Sequence, residues 1–557
     1  MKPRIILMVL CMTAMLSCKK NFLDKLPLDS PSDATFFSNQ EELDLAINGA
    51  YTNLWWEGQS STPYKLYLDA TTDIAWSRGD WANVQTVQSG NFTPDFAIFG
   101  STWDFMYEGI SKCNNILVNM HRAKDVVPAD DYAQIKGQAK FLRSYYYFYL
   151  IELFGNVPWV TTMLSLDSAA LPQTPRAEVV AHLYADLDSA AAALPTTWSG
   201  TDAGKATKGA ALALKARLAL DEGDYQTAAT SARAVMDLGL YTIYPNYEDL
   251  FHYEGQGSSE IILNLPYLTG IRTNAIPQIE GPRSGPGYSI LVPTQRMVDL
   301  YQCTDGKPID ESDLYDPSHP FKNRDPRLDQ SIIRPGMWFN GKLFQTHPDS
   351  TKTFQANGTD TVRISNLEVT NAYATFTGYL WLKYLDASDL PQNVTSSQQN
   401  VILIRYAEVL LTYAEAKIEL GDIDQSVIDA INLVRGRPSV HMPLASLGMS
   451  QEALRKMVRY ERTVELADEG FRLFDLRRWK YAEHVMPGKV YGRRTKAHWF
   501  DVVTPRIDPY ENVSYPGADA LFKVISVNIF DAAKNYLWPI PQKEMDVDRN
   551  LKQNPGY

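Results

Sequence analysis

Apolar positions recur at helical spacing through the first third of the chain. After Ser38-Asn39-Gln40-Glu41, which has the Ser-x-x-Glu form of a capping box, Leu43, Ile47, Ala50 and Leu54 share one helical face. Trp103, Met106, Tyr107, Ile110 and Leu117 mark a second helix. A third is predicted from a cap at Asp130 to Phe154, where Gly155 and Pro158 stop it, and Thr174-Pro175 opens a fourth that ends near Pro195. The next helices form a repeat. From Lys208 to Leu238 two helices flank a Gly223-Asp224 turn, and from Arg405 to Arg435 two more flank Gly421-Asp422. Aligned on the turn glycine, Ala216 matches Ala414, Ala232 matches Ala430 and Val235 meets Leu433. Alanine at such positions lets paired helices approach closely, and each hairpin leaves an apolar face that a neighbouring hairpin covers. The units look tetratricopeptide-like, but long insertions interrupt them, whereas a tandem array would repeat every 34 residues or so.

Between Leu240 and Asn400 the helical period fades. Gly, Pro, Tyr and Asn become frequent, as in Gly281-Pro282-Arg283-Ser284-Gly285-Pro286-Gly287-Tyr288, and short apolar runs such as Glu260 to Leu265 predict strands. A second irregular stretch lies between Trp55 and Phe99. The expected fold is mainly α: helical hairpins form a scaffold packed against a loop-rich part with a few short strands. Long loops on a rigid scaffold are where binding usually resides, because a loop varies its side chains without disturbing the core.

The N-terminus carries a different pattern. Lys2 and Arg4 lead an apolar run from Ile5 to Leu16 that ends in Met15-Leu16-Ser17-Cys18, with polar Lys19-Lys20-Asn21 following at once. That is the form of a secretory signal whose cleavage leaves a cysteine first, and the run is shorter than the roughly 18 apolar residues a membrane span needs. Cys18 resembles the lipid-modified cysteine of bacterial lipoproteins, with Met15 a mild departure from the more usual Leu. Such an N-terminus carries several acyl chains, and more than one chain gives stable anchoring. Ordinary cleavage nearby would instead release a soluble protein. The expected organisation is a signal peptide over 1–17, a lipidated tether over 18–37 and a single body over 38–557. Within that body the scaffold is expected over about 38–54, 102–240 and 401–480, the loop-rich ligand part over about 55–101 and 241–400, and a C-terminal segment over 481–557.

Composition narrows the partners. The formal charge of −12, lower still once Lys2 and Arg4 leave with the signal, argues against nucleic acid, whose phosphates demand clustered Lys and Arg. It equally disfavours electrostatic adhesion to an anionic bilayer, so a lipid would supply the attachment. With 45% apolar residues the chain has ample material for a packed core. Only Cys113 and Cys303 remain in the body, so a disulfide framework is excluded and two buried free thiols are expected. His residues stand at no zinc-ligand spacing such as H-E-x-x-H, the loop at Gly281 lacks the Lys-Ser/Thr of a phosphate loop, and Gly-x-Ser-x-Gly is absent. Neither a cofactor nor a metal is expected.

The C-terminal third carries strings of high specificity. Arg324-Asp325-Pro326-Arg327-Leu328 is followed by Ile404-Arg405-Tyr406-Ala407-Glu408-Val409-Leu410-Leu411 with Ala414-Glu415-Ala416, and then by Ile431-Asn432-Leu433-Val434-Arg435. Glu461-Arg462, Glu465-Leu466, Glu469-Gly470 and Asp475-Leu476-Arg477-Arg478-Trp479 come next, before the closing Leu537-Trp538-Pro539-Ile540-Pro541 and Gln553-Asn554-Pro555-Gly556-Tyr557. Together with Cys18 and Asn21-Phe22-Leu23-Asp24, they resemble the SusD/RagB family over essentially the whole mature chain. Asp468, where an aromatic is common, and Phe471, where a His is common, depart from the pattern. The resemblance implies a non-enzymatic, lipid-anchored outer-membrane protein facing the cell surface. It would capture a nutrient, usually an oligosaccharide, as a lid on a SusC-like TonB-dependent transporter. A peptide ligand is the alternative within the family, and a helical-repeat protein-interaction scaffold the alternative outside it.

Sugar binding needs flat apolar faces and polar forks. A pyranose ring presents a patch of C–H groups that Trp or Tyr covers, while its hydroxyls pair with Arg, Asn or Asp. Trp76-Ser77-Arg78-Gly79-Asp80-Trp81-Ala82-Asn83 offers all of these, and in the family this loop commonly supplies contacts, so Trp76, Arg78, Trp81 and Asn83 are the first candidates. Either indole could instead be a core plug beneath the loop. Tyr288 and Trp338 are further ligand candidates, for which core packing or loop support is the alternative. Tyr145-Tyr146-Tyr147-Phe148-Tyr149 cannot form one stacking face, because consecutive helical residues point in different directions. Glu461, Glu465 and Glu469 line one helical face near Arg462, Arg472, Arg477 and Arg478, which points to a structural ion network rather than acid–base catalysis. Asp305, Asp310, Glu311, Asp313 and Asp316 do not have the EF-hand spacing and are expected to be a solvated acidic surface.

Overall fold

Helices laid side by side make the scaffold, and each begins where the local chemistry permits. A computed structural model describes residues 36–79, 83–165 and 169–557. The expected lipid-attachment residue Cys18, all but the last two residues of the expected tether, and Trp81 lie outside them. Helix α1 (Gln40–Tyr51) is capped by Asn39, whose Oδ1 accepts from Glu42 N at 3.0 Å, while the Glu42 carboxylate accepts from Ser38 N at 2.7 Å. The cap therefore sits one residue later than the Ser-x-x-Glu reading places it, since Asn is as good a cap as Ser. Next come α2 (Ala97–Asn119), α3 (Ala129–Phe154) and α4 (Arg176–Ala193), each packed on its predecessor. Helix α3 starts behind Pro128, with Asp130 and Asp131 in its first turn instead of at the cap. Its run from Tyr145 to Phe154 is buried all round, so the tyrosines are core. Gly109 of α2 makes this close packing possible, because a Cβ there would stand 2.6 Å from the Tyr146 ring.

The two hairpins predicted from the repeat are present and adjacent. The first is α5 (Lys208–Asp221) with α6 (Tyr225–Met236), and the second is α7 (Tyr406–Glu419) with α8 (Gln425–Arg435). Helix α7 packs on α6, so the long insertion between the hairpins loops out and returns. Gly223 and Gly421 both turn at φ +72°, a conformation open to glycine. Asp224 caps α6, but in the second copy Asp424, and not Asp422, accepts from Ser426 N at 2.8 Å. The second turn is therefore longer before its helix begins. Val235 is buried as expected, whereas Leu433 points outward and Val434 takes the buried place.

The insertions make small sheets. Ala75–Ser77 pairs antiparallel with Leu291–Pro293, Ile261–Leu265 with Val401–Arg405, and a four-stranded meander spans Trp338–Phe339, Lys342–Leu343, Lys352–Asn357 and Asp360–Ser365. Near the C-terminus Gly488–Arg494 pairs with Phe522–Asn528. The closing strings strap the end of α3: Trp538 N donates to Leu153 O at 2.7 Å, and the Asn554 amide donates to Phe154 O at 2.8 Å.

Helix α9 (Gln451–Glu465) and the turn after it carry the glutamates, which are fully buried. Glu461 accepts from Arg327 at 2.7 Å and from Arg435, Glu465 from Arg327 at 3.0 Å, Arg405 at 2.9 Å and Arg437 at 2.6 Å, and Glu469 from Arg405 at 2.7 Å and Lys383 at 3.0 Å. These partners come from distant segments. The neighbouring arginines serve elsewhere, Arg462 on Asp475 and Arg472 on Asp73. Cys113 and Cys303 are buried free thiols. Among the described residues no group of three His, Cys, Asp or Glu is placed to hold a metal, and no helix is long and apolar enough to cross a membrane. In the acidic loop, Asp305 and Asp316 accept hydrogen bonds from their own turns, and Asp310 accepts from Ile507 N.

Candidate functional site

Two loops from the insertions meet over the short strand Ala75–Ser77. Trp76, in the middle of that strand, is 2% exposed and packs with Val292, Ile333, Leu380 and Leu385, its ring stacked on Phe376 at 5.7 Å. Of the two roles open to this indole, the structure gives it the core plug and not the ligand face. The cause is the antiparallel partner Leu291–Pro293 together with the segment around Phe376, which cover it from both sides. Trp81 lies outside the described residues. Asn83 sits half-buried in the left-handed conformation (φ 56°) at the start of the helix Val84–Ser89.

Arg78 is the organiser of the site. Its Nη2 donates to Tyr288 O, its Nη1 reaches Ala372 O at 3.5 Å, and its guanidinium lies over the Tyr373 ring at 5.0 Å. Burial pushes the Arg78 pKa down, and neighbouring Arg283 pushes the same way against the opposing effect of Tyr373. The residue is largely covered, so it positions the two loops more than it offers itself to a ligand. Above it Tyr288 is half-buried and Tyr373 is 49% exposed, with ring centroids 5.5 Å apart and tilted by 48°. Arg283 extends over Tyr288 at 5.1 Å and Tyr373 at 5.8 Å, and its Nη1 donates to Gly287 O at 2.8 Å. Beneath the glycine-rich loop the buried Glu368 carboxylate accepts from Ser284 N at 2.8 Å and Arg283 N at 3.2 Å. Burial raises the Glu368 pKa against these hydrogen bonds.

Trp338 is 49% exposed on the first strand of the meander. That hairpin is fastened to the glycine-rich loop by Lys342 Nζ, which donates to Ser284 O at 2.7 Å. Arg78 and Tyr288 are thus in direct contact and Trp338 stands on an element tied to the same loop. Tyr373 and Arg283 were missed by sequence reasoning. Arg283 stands inside the glycine-rich string and Tyr373 follows Asn371-Ala372 in a loop, but neither position distinguishes a ring on the surface from one beneath it. The result is an open ledge: flat ring faces, one guanidinium below and another at the edge.

A family model described as "SusD family" matches residues 264–557, and one described as "Starch-binding associating with outer membrane" matches residues 21–220. The chain belongs to the SusD family. A curated SusD-like protein from Formosa agariphila is 26% identical over the whole length of both chains. A solved SusD-like carbohydrate binding protein from Bacteroides fragilis is 30% identical, with a TM-score of 0.81 over 93% of this chain and 100% of that one. The surface glycan-binding protein A of Bacteroides fluxus shares the fold at 21% identity, with a TM-score of 0.67 over 93% of this chain and 100% of that one. In this SusD-family chain the two positions that depart from the common pattern are both interior. Phe471 lies beneath Lys65 and Arg217, and Asp468 is buried with φ +62°.

Proposed function

We propose that this SusD-family chain is a lipid-anchored surface protein that holds an oligosaccharide on the Arg78–Tyr288–Tyr373–Trp338 ledge. It passes the sugar to a TonB-dependent outer-membrane transporter without breaking a bond. The observation that carries the reading is the Tyr373 ring, half open to solvent and held flat by the Arg78 guanidinium beneath it. A ring pre-positioned in this way offers its face to the C–H patch of a pyranose without first losing side-chain freedom. The names borne by the B. fragilis and B. fluxus relatives, and the description of the matching N-terminal family model, support a carbohydrate ligand at the outer membrane. Glycoside hydrolysis would need two facing carboxylates at a set separation. Glu461 and Glu465 of α9 are instead engaged by arginines, and Glu368 by loop N–H groups.

Each stacked ring contributes about 0.5–1.5 kcal/mol beyond its buried area, so affinity is modest and release into a transporter stays possible. Tyr373→Ala therefore weakens binding of laminarin- or starch-derived oligosaccharides about 2- to 12-fold in titration calorimetry, and adding Tyr288→Ala and Trp338→Ala removes it. Full glycan affinity in the triple variant, or binding of oligopeptides in place of glycans, would contradict the reading. Cys18→Ser moves the protein from the membrane fraction to the soluble one, because the acyl chains have lost their attachment. Partition that stays unchanged would sink the anchor. The transporter is expected to co-purify with the wild-type protein in mild detergent.

A further inference from the structure

The segment that carries Tyr373 continues through Phe376, under the Trp76 plug, to Thr377, Gly378 and Tyr379, which line a separate concavity. This cavity holds about 540 Å³, within the ~300–1,000 Å³ usual for small-molecule sites. Its walls include the rings of Phe321, Tyr379, Trp499, Phe500 and Phe522. At the mouth Phe500 is 85% exposed, yet it is not loose: His347 stacks on it at 5.6 Å and meets Trp499 edge-on at 4.8 Å. Two flat faces are therefore braced against one imidazole beside an open space.

The polar groups of the floor satisfy one another. Asp299 accepts from the Tyr515 hydroxyl and from Gln295 Nε2 at 3.1 Å, and Tyr379 donates to Gln295 Oε1 at 2.9 Å. The two arginines of the wall differ. Arg493 Nη1 donates to Thr346 O at 3.0 Å and Arg494 Nη1 to Asp501 O, both of them neutral carbonyls. Among the described residues neither guanidinium forms an ion pair with a carboxylate, in contrast to Arg327, Arg405 and Arg437, which each hold two or more. The other charged groups facing the cavity are Asp299, on which Arg494 acts electrostatically, Asp501, taken by His498 Nδ1 at 2.7 Å, and His319, which contacts Asp316. Burial lowers the Arg493 pKa. A half-covered cation short of a counter-charge, next to flat apolar faces, is suited to an anion carried on a sugar ring. The guanidinium fork matches carboxylate and sulfate oxygens in two-point geometry.

We propose that this cavity is a second binding site that takes an acidic sugar residue. Arg493 and Arg494 hold its carboxylate or sulfate, and Trp499 and Phe500 cover its ring face. The site stands apart from the ledge, and the experiment separates them. Titration calorimetry on the mature chain compares three probes: a galacturonic acid trisaccharide, a sulfated galactan trisaccharide and the neutral galactan trisaccharide. The acidic probes bind at least tenfold more tightly than the neutral one, with affinity falling as salt rises. A preference for one acidic probe identifies which anion the fork prefers. Arg493→Gln and Trp499→Ala each remove most of that advantage and leave neutral-glycan binding at the ledge unchanged, while Tyr373→Ala does the reverse. Arg493→Lys, which keeps the charge but loses the fork, restores only part. Unchanged thermal unfolding of the variants shows that the fold is intact. Equal affinity for the three probes, no binding of either acidic probe, or acidic-probe affinity indifferent to Arg493→Gln overturns the proposal and leaves the ledge reading standing.

Discussion

Glu465→Gln lowers the stability of the fold by about 3–5 kcal/mol at neutral pH, the cost of removing one partner from a buried ion cluster. Glu465 is fully buried and accepts from Arg327, Arg405 and Arg437 at 2.6–3.0 Å. Around it the cations Arg327, Arg405, Arg435, Arg437 and Lys383 are balanced by Asp325, Glu260, Glu461, Glu465 and Glu469. Gln keeps the volume but leaves a net positive charge where water cannot reach it, so the loss comes from uncompensated charge and not from a cavity. The same cluster fixes the acid behaviour. Its arginines hold the Glu465 and Glu469 carboxyls below their ordinary value of 4.5, against the opposing effect of burial, so the folded state gives up their protons more readily than the unfolded chain. That stability is fully present above about pH 4.5 and drains away as pH falls below it. Guanidinium unfolding at pH 7 and at pH 3.5 measures both effects. A Glu465→Gln loss below 1 kcal/mol at pH 7, or one that grows toward acid, would contradict the argument.

On the alkaline side Glu280→Gln is expected to flatten the decline of stability by about 1.4 kcal/mol per pH unit, the value of one linked proton. Glu280 and Asp468 are 0% and 1% exposed, and none of their carboxylate oxygens has a hydrogen-bond partner among the described residues. Burial raises both pKa values, and Asp468 is raised further by Glu280 and Asp69 against the pull of Lys383. A carboxyl with a raised folded pKa keeps its proton in the folded state after the unfolded chain has lost it. Stability is thus fully present below the ordinary carboxylate value and declines as pH rises toward the folded one. Gln at position 280 imitates the protonated acid and has no proton to lose. It also lets Asp468 ionise more readily by removing the competing charge. Denaturant unfolding from pH 6 to pH 9 in parent and variant gives the two slopes; parallel slopes would mean that Glu280 is already ionised in the fold.

The ledge shows where reading one chain stops being sufficient. Arg78 and Tyr288 were legible as candidates because a cation and a ring in Gly-rich loops suit sugar recognition, and the structure brings them into contact. Trp76 sits two residues from Arg78 and has the same sequence credentials, yet it is core. The difference arises from Val292 and Phe376, more than two hundred residues away, which close over the indole. Tyr373 owes its exposed position to the same kind of contact: the hydrogen bonds of Arg78 span 210 and 294 residues and bring its loop against that of Tyr288. The glutamate face of α9 was legible as an ion network, but the arginines adjacent in sequence were the wrong partners. Helical residues near one another in sequence point to different sides, whereas Arg327, Arg405 and Arg437 arrive from segments folded across that face.

From the amino-acid order alone came the helices, the two hairpins with their glycine turns, and the division into a regular scaffold and irregular insertions. These rest on residues three or four positions apart, and such neighbours meet whatever the rest of the chain does. Which loop rings face solvent, which cations neutralise the buried glutamates, and that Arg493 and Arg494 line a cavity where, among the described residues, neither pairs directly with a carboxylate were decided by tertiary structure. Each depends on segments that approach only after the insertions have folded back on the scaffold, and burial and charge pairing belong to that assembled surface.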